Sequence, residues 1–304
     1  MELVQFSDAR EFRDRSWPLL LGREAENNLM VGIVGRLAEG AGPGSVGREG
    51  QPVFWAVEDR GGVEAAAVIT PPHRLILTRA SAQAVAFLAE ELRRTGVELP
   101  GVVGPKGTAD RFSALWSRQC ARQARLTHAL RIYQLDRVQP VATVAGRLPA
   151  GRQAGMEVAE LKDFELVQQW NAAFCREAGV PTAATPERLR GLVQAGEMFL
   201  WKIPQPVSMA VAVQPTPNGI RVSGVYTPPG HRRKGYATAL VAALSQRLLD
   251  SGRKFCFLFA DLANPTSNGI YERIGYEPVC DFQEYDFVRS ERNGDAALGA
   301  GAGR

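Results

Sequence analysis

Two stretches of this 304-residue chain obey one pattern. Residues 85–96 read Val-Ala-Phe-Leu-Ala-Glu-Glu-Leu-Arg-Arg-Thr-Gly, and residues 241–252 read Val-Ala-Ala-Leu-Ser-Gln-Arg-Leu-Leu-Asp-Ser-Gly. Both fit V-A-x-L-x-x-x-L-x-x-x-G, an amphipathic helix with apolar residues three and four apart and a glycine closing its C-terminus. The surroundings repeat as well. Two strand-like runs precede each copy, and a further strand follows it: Gly101-Val102-Val103 in one half, Phe255 to Phe259 in the other. A short helix comes next, Asp110 to Arg122 or Ser267 to Ile274, and then a β-rich stretch, Ala129 to Leu135 or Val279 to Val288. A shared helix alone is weak evidence, but a shared order of elements points to a tandem repeat of one α/β module.

Length agrees with two modules at roughly 150 residues each. Residues 1–138 are read as the first domain, Gln139 to Gly155 (Gly, Ala, Pro and Arg without period) as a linker, 156–289 as the second domain, and 290–304 as a disordered tail. Gly40-Ala41-Gly42-Pro43-Gly44-Ser45-Val46-Gly47 is a turn-rich loop within the first half. A net charge of +4 without any Lys/Arg block argues against a nucleic-acid partner. Apolar runs such as Ala65 to Ile69 fall far short of the roughly 18 residues a membrane span needs. Met1 to Asp8 has neither a basic nor an apolar leader region, so a cytoplasmic, soluble protein is expected. Cys120, Cys175, Cys256 and Cys280 lack C-x-x-C spacing, and the three histidines stand apart, so neither a disulfide framework nor a metal site is expected.

The second half can be followed further. Leu166, Val167, Trp170, Ala173 and Phe174 recur at helical spacing between Lys162 and Ala178, and Gly179-Val180-Pro181 stops the run. A second helix is expected from an N-cap at Thr185, with Pro186 behind it, to about Ala195. Met198 to Ile203, Val207 to Gln214 and Gly219 to Tyr226 read as strands, the last two joined by the turn Pro215-Thr216-Pro217-Asn218-Gly219.

The sharpest local feature follows the last of these strands: Val225-Tyr226-Thr227-Pro228-Pro229-Gly230-His231-Arg232-Arg233-Lys234-Gly235-Tyr236-Ala237-Thr238. Here a strand runs through a basic loop into a helix of small residues. The free N–H groups and positive dipole end of such a helix attract an anion. Gly235 and Ala237 keep bulk away from the first turn, and Arg232, Arg233 and Lys234 add charge, so the segment has the physics of a diphosphate cradle. This loop has neither a Walker A spacing nor the G-x-G-x-x-G of a dinucleotide fold. A basic, solvated helix cap is the alternative reading of the same residues.

The pattern R-x-x-G-x-A over Arg232 to Ala237 resembles the acyl-CoA pyrophosphate loop of the GNAT superfamily of N-acyltransferases. Downstream, Asn264, Ser267, Tyr271 and Gly275-Tyr276 are similar to that superfamily's second signature, N-x-x-S-x-x-x-Y…G-[FY]. The resemblance spans about residues 155–288 and, in layout only, the first half. It implies an α/β (α+β) chain of two tandem GNAT-like domains, each a mixed, mostly antiparallel central sheet flanked by helices. It further implies that the backbone of Val225, Tyr226 and Thr227 pairs with the pantetheine arm, with the Val225 N–H polarising the thioester. Arg232, Arg233, Lys234, Gly235, Tyr236, Ala237 and Thr238 would then hold the pyrophosphate, and Asn264 would bond the pantetheine. Tyr271 would protonate the leaving thiolate. The implied activity is transfer of an acetyl group from acetyl-CoA to a primary amine in a ternary complex, without metal. The alternative is a non-catalytic acyl-CoA-binding module.

This sequence departs from the family in two places. The strand before the cradle, Ile220-Arg221-Val222-Ser223-Gly224-Val225, has no carboxylate to act as base; Glu177 and Asp261 are candidates, though solvated or capping roles fit both. In the first half, Leu77-Thr78-Arg79-Ala80-Ser81 enters its helix without a glycine, so that copy is expected to bind no CoA. The acceptor and the oligomeric state are left open.

Overall fold

The two copies of the repeated pattern form two corresponding helices, and each lies beside a parallel strand pair. The structure, a computed structural model, describes residues 1–40, 50–141, 154–179 and 184–289. Most of the turn-rich loop, most of the expected linker, Val180-Pro181 and the tail lie outside the described residues. In chain order the elements are β1 (Glu2–Phe6), α1 (Ala9–Leu21), α2 (Asn28–Ala38), β2 (Val53–Asp59), β3 (Gly62–Ile69), β4 (Leu75–Leu77), α3 (Ala82–Arg94), β5 (Gly101–Pro105), α4 (Lys106–Cys120) and β6 (Arg122–Leu135). They continue with β7 (Gly155–Val158), α5 (Phe164–Ala178), α6 (Pro186–Gln194), β8 (Met198–Ile203), β9 (Gln205–Val213), β10 (Gly219–Tyr226), α7 (Tyr236–Asp250), β11 (Phe255–Asp261), α8 (Pro265–Ile274) and β12 (Glu277–Arg289). α4 starts earlier than its periodicity suggests and stops at Cys120, because Ala121 takes a left-handed conformation (φ 49°) and bonds back to the Ser117 carbonyl.

The chain divides into two compact units that interleave in sequence. Unit 1 comprises Met1–Leu19, Leu37–His128 and the segment from Phe282 onward; unit 2 comprises Leu20–Arg36 and Ala129–Asp281. Each is a mixed sheet, antiparallel except for one parallel pair, with helices packed on it, as expected.

In unit 1 the strand order is β1-β2-β3-β4-β5-β12. The parallel pair is β4–β5, in register at Leu75↔Val102 and Ile76↔Val103. β12 completes this sheet with Phe282 to Asp286 running antiparallel to Pro105 to Gly101. Arg74 fastens it by ion pairs to Glu284 (3.0 Å) and Asp286 (2.8 Å). Val85, Leu88 and Leu92 of α3 and Phe112 and Trp116 of α4 share one core with Trp55, Val102 and Phe287.

Unit 2 has the order β6-β11-β10-β9-β8-β7. Its parallel pair is β10–β11, and its sheet is closed by β6, whose Leu130 to Leu135 pair antiparallel with Asp261 to Cys256. One face packs on Leu240, Leu244 and Leu248 of α7, and the other on Phe164 and Val167 of α5 and Leu189 and Val193 of α6. Full burial of such a side chain contributes about 1.5–3 kcal/mol. Residues Leu20–Arg36, from the first half of the sequence, belong here as well. Glu24 accepts from the Asn218 backbone (2.8 Å) and side-chain amide (2.6 Å), pinning the turn before β10. The fully buried Asn28 accepts from Arg221 Nη2 at 3.1 Å. Among the described residues, no helix is long and apolar enough to cross a membrane.

Candidate active site

β10 and β11 of unit 2 start side by side and then part. They are paired at Gly219↔Phe255, Ile220↔Cys256 and Arg221↔Phe257, and no further, although both strands continue for several residues. On its other side β11 stays paired with β6 as far as Asp261. β10 meanwhile gains a bulge against β9: Ser223 faces Val211 and Tyr226 faces Met209, so one extra residue is accommodated. Gly224 permits it, with φ +57° and Val211 Cγ1 only 3.2 Å from where a Cβ would stand. The bulge re-aims the Val222 to Tyr226 edge, leaving main-chain groups that no neighbouring strand pairs. An extended ligand can add to such an edge as a strand would.

The end of β10 is fixed from behind. Ser208 Oγ donates to the Tyr226 carbonyl (3.0 Å) and lies 2.9 Å from Thr227 Oγ1. Pro229–His231 form a 3-10 turn, and Arg232, Arg233, Lys234 and Gly235 are exposed in the loop that leads to α7. Gly235 is the N-cap of α7 in a left-handed conformation (φ +84°), and no side chain caps the helix. The N-terminal amides of α7 are therefore left to a ligand or to water. Tyr236, Ala237 and Thr238 form the first turn and are half-buried. Lys234 Nζ donates to the Gly230 carbonyl (3.1 Å), bracing the loop. Arg232 Nε donates to the Thr227 carbonyl (2.8 Å), and its Nη2 contacts both oxygens of Glu177 at 2.6 and 2.9 Å. Glu177, read from sequence as a solvated or capping carboxylate, thus pairs with the first residue of the cradle motif.

Tyr271 lies on α8 within the core that underlies α7, with ring centroids 6.3 Å from Tyr133 and 5.9 Å from Tyr276. Burial pushes its phenol up to about 12, so the hydroxyl is protonated at any physiological pH. The same shift links to stability: the neutral phenol's contribution is intact below about pH 10 and is lost as pH rises towards 12. The Tyr133 hydroxyl shares its one proton between Asn268 Oδ1 (3.1 Å) and Glu272 Oε1 (3.0 Å), tying α8 to β6. Asn264 is the N-cap of α8, and its Oδ1 accepts from the Ser267 amide (3.1 Å). Asp261 Oδ1 accepts from the Ala263 amide (2.8 Å), a turn-capping role. Cys256 is buried, and its thiol is raised to about 12, as a core residue requires and a nucleophile does not. Among the described residues, no group of His, Cys, Asp or Glu could hold a metal ion.

Unit 1 shows how the same architecture closes. There the α3 amides are capped, because Ser81 Oγ accepts from the Ala84 amide at 3.1 Å. The Ala80 amide donates to Thr108 Oγ1 (3.2 Å). β4 and β5 stay together: a Cβ on Gly104 would stand 2.9 Å from the Leu77 carbonyl oxygen. Neither a parted strand pair nor an uncapped helix is found where unit 2 has both.

Residues 195–286 match a family model described as FR47-like protein. No curated protein matches the chain in sequence. Among solved structures, a Drosophila protein is similar over 94% of this chain and 98% of its own, with a TM-score of 0.65 and 14% identity. A GCN5-related N-acetyltransferase from Sphaerobacter thermophilus is similar over 94% of this chain and 96% of its own, with a TM-score of 0.57 and 16% identity. A tandem GNAT protein from the clavulanic acid biosynthesis pathway is similar over 93% and 97%, with a TM-score of 0.52 and 15% identity. The order of elements, the parted strands and these likenesses agree: the chain has the GNAT fold in tandem, with an FR47-like sequence in its second unit.

Proposed function

We propose that unit 2 transfers an acetyl group from acetyl-CoA to a primary amine, by direct attack in a ternary complex. The observation that carries this reading is the parting of β10 from β11 immediately before the uncapped N-terminus of α7. An open strand edge leading into a helix N-terminus suits a ligand with an amide-bearing arm and a diphosphate. Val225 to Thr227 would pair with the arm, and Arg232 to Thr238 would hold the diphosphate. The thioester supplies the activated acyl group. The Val225 N–H would polarise its carbonyl, and Tyr271 would return a proton to the thiolate. A phenol near 12 is a weak acid, but a thiolate formed beside it in the same desolvated core is made more basic by the same cause.

Isothermal titration with CoA tests the binding half of this reading, and a chain that takes up no CoA overturns it. For the chemical half, Tyr271→Phe is expected to lower kcat about a hundredfold while leaving acetyl-CoA affinity unchanged. An unaltered kcat under conditions where chemistry limits turnover removes Tyr271 from the mechanism. Unit 1, with its amides capped and its strands joined, contributes no second site in this reading.

A further inference from the structure

β10 offers no carboxylate to the parted edge; its only charged side chain is Arg221. A carboxylate nonetheless reaches the end of that strand from another element. Glu177, in the last turn of α5, accepts from the Tyr226 hydroxyl at 3.3 Å and from Arg232 Nη2 at 2.6 and 2.9 Å. The Arg232 guanidinium also lies 5.7 Å from the centroid of the Tyr226 ring. Trp170, two turns back along α5, places its ring 6.3 Å from the same one. A carboxylate beside two aromatic rings makes a corner suited to a cation. In the free protein the cation in that corner is Arg232.

Arg232 is also the first residue of the cradle. A diphosphate arriving at the α7 N-terminus competes with Glu177 for this guanidinium, and the exposed ion pair is weak enough to yield. We propose that Glu177, with Tyr226 and Trp170, is the subsite for the ammonium group of the acceptor, filled by Arg232 until the diphosphate draws that side chain away. The proposal rests on the acetyltransferase reading and deepens it. Tyr226 follows Val225 at the same strand end, so the corner at its hydroxyl lies about one side chain's length from the position assigned to the thioester carbonyl. The bound ammonium passes one proton to the Glu177 carboxylate. Its nitrogen then forms the C–N bond as the C–S bond breaks. The thiolate takes its proton from Tyr271, and the second nitrogen proton restores the phenol. One proton is released overall, from Glu177 to solvent.

Glu177→Gln removes the competing charge but keeps the shape. CoA affinity is expected to rise about fivefold, because the diphosphate no longer displaces a carboxylate. Cadaverine, a primary diamine, is the ammonium probe. By titration it should bind the native protein saturated with CoA, and bind at least about tenfold more weakly to the native protein alone and to Glu177→Gln saturated with CoA. Glu177→Asp should recover most of the cadaverine binding, which a purely structural role does not predict. Melting curves of both variants check that the fold is kept. Unchanged CoA affinity in Glu177→Gln, or cadaverine binding that is missing from the native complex or indifferent to Glu177, overturns the subsite while the acetyltransferase reading stands. A native protein that binds no CoA overturns that reading and the subsite with it.

Discussion

Expressed alone, residues 154–304 are expected to lose the fold of unit 2 and all CoA binding. The truncated chain lacks the β6 segment that pairs with Cys256 to Asp261 of β11. Ile132, Tyr133 and Leu135, each at most 1% exposed, leave with it. Full burial of a large apolar side chain is worth about 1.5–3 kcal/mol, so these three alone approach the ~5–15 kcal/mol that holds a typical domain together. The hydroxyl of Tyr133 no longer holds Asn268 and Glu272, so α8 loses its tie to the sheet just where Tyr271 sits. Leu20–Arg36 is lost too, and with it the Glu24 clamp on the turn before β10 and the Asn28 bond to Arg221. Far-UV circular dichroism and CoA titration on the fragment check this. A cooperatively melting fragment with native CoA affinity contradicts it.

The second large effect is expected from Gly235→Asp. This residue is the exposed N-cap of α7, at φ +84°. Any side chain is strained at this φ, so the melting temperature should fall by several degrees while the fold is kept, and binding is measured well below the transition. The binding site should nonetheless be lost. The new carboxylate stands at the N-terminus of α7, and a like charge about 4 Å from a diphosphate costs on the order of 4 kcal/mol at an effective dielectric near 20. That corresponds to roughly a thousandfold loss of CoA affinity. Affinity within about threefold of native, with the fold retained, removes the cradle from the helix N-terminus.

Features with local causes were legible in the sequence. Thr185 caps α6 through the Arg188 amide, with Pro186 at the first helical position. The apolar spacing of residues 162–178 forms α5, preceded by a 3-10 turn at Leu161–Asp163 that periodicity does not reveal. The Pro215–Gly219 turn closes with the Thr216 amide on the Gly219 carbonyl (2.9 Å). The strand–loop–helix order around Gly235 follows from Pro, Gly and small residues at fixed positions. What could not be read is what lies far apart along the chain. The β-rich stretch is legible at 129–135, but nothing local says which edge it joins, and Phe257 and Gln134 become neighbours only through the topology. Leu20–Arg36 carries Glu24, Glu26, Asn27 and Asn28 within five residues, a polar run with no local mark of burial, yet all four are less than 8% exposed. Glu177 and Arg232 stand 55 residues apart, so their ion pair has no signature in either local segment.

Interleaving also reverses the order in which the parts of this protein are finished during synthesis. Unit 1 includes the first described strand, but the strand against its β5 edge is Phe282 to Asp286, made after every segment of unit 2. A nascent chain that has released Asp281 holds every segment of unit 2, while the first-begun sheet still shows bare N–H and C=O groups along β5. Such an edge is an invitation to pair with a stranger. Cutting the chain after Asp281 is therefore expected to expose the half of the molecule without the proposed site while keeping every segment of the half that carries it.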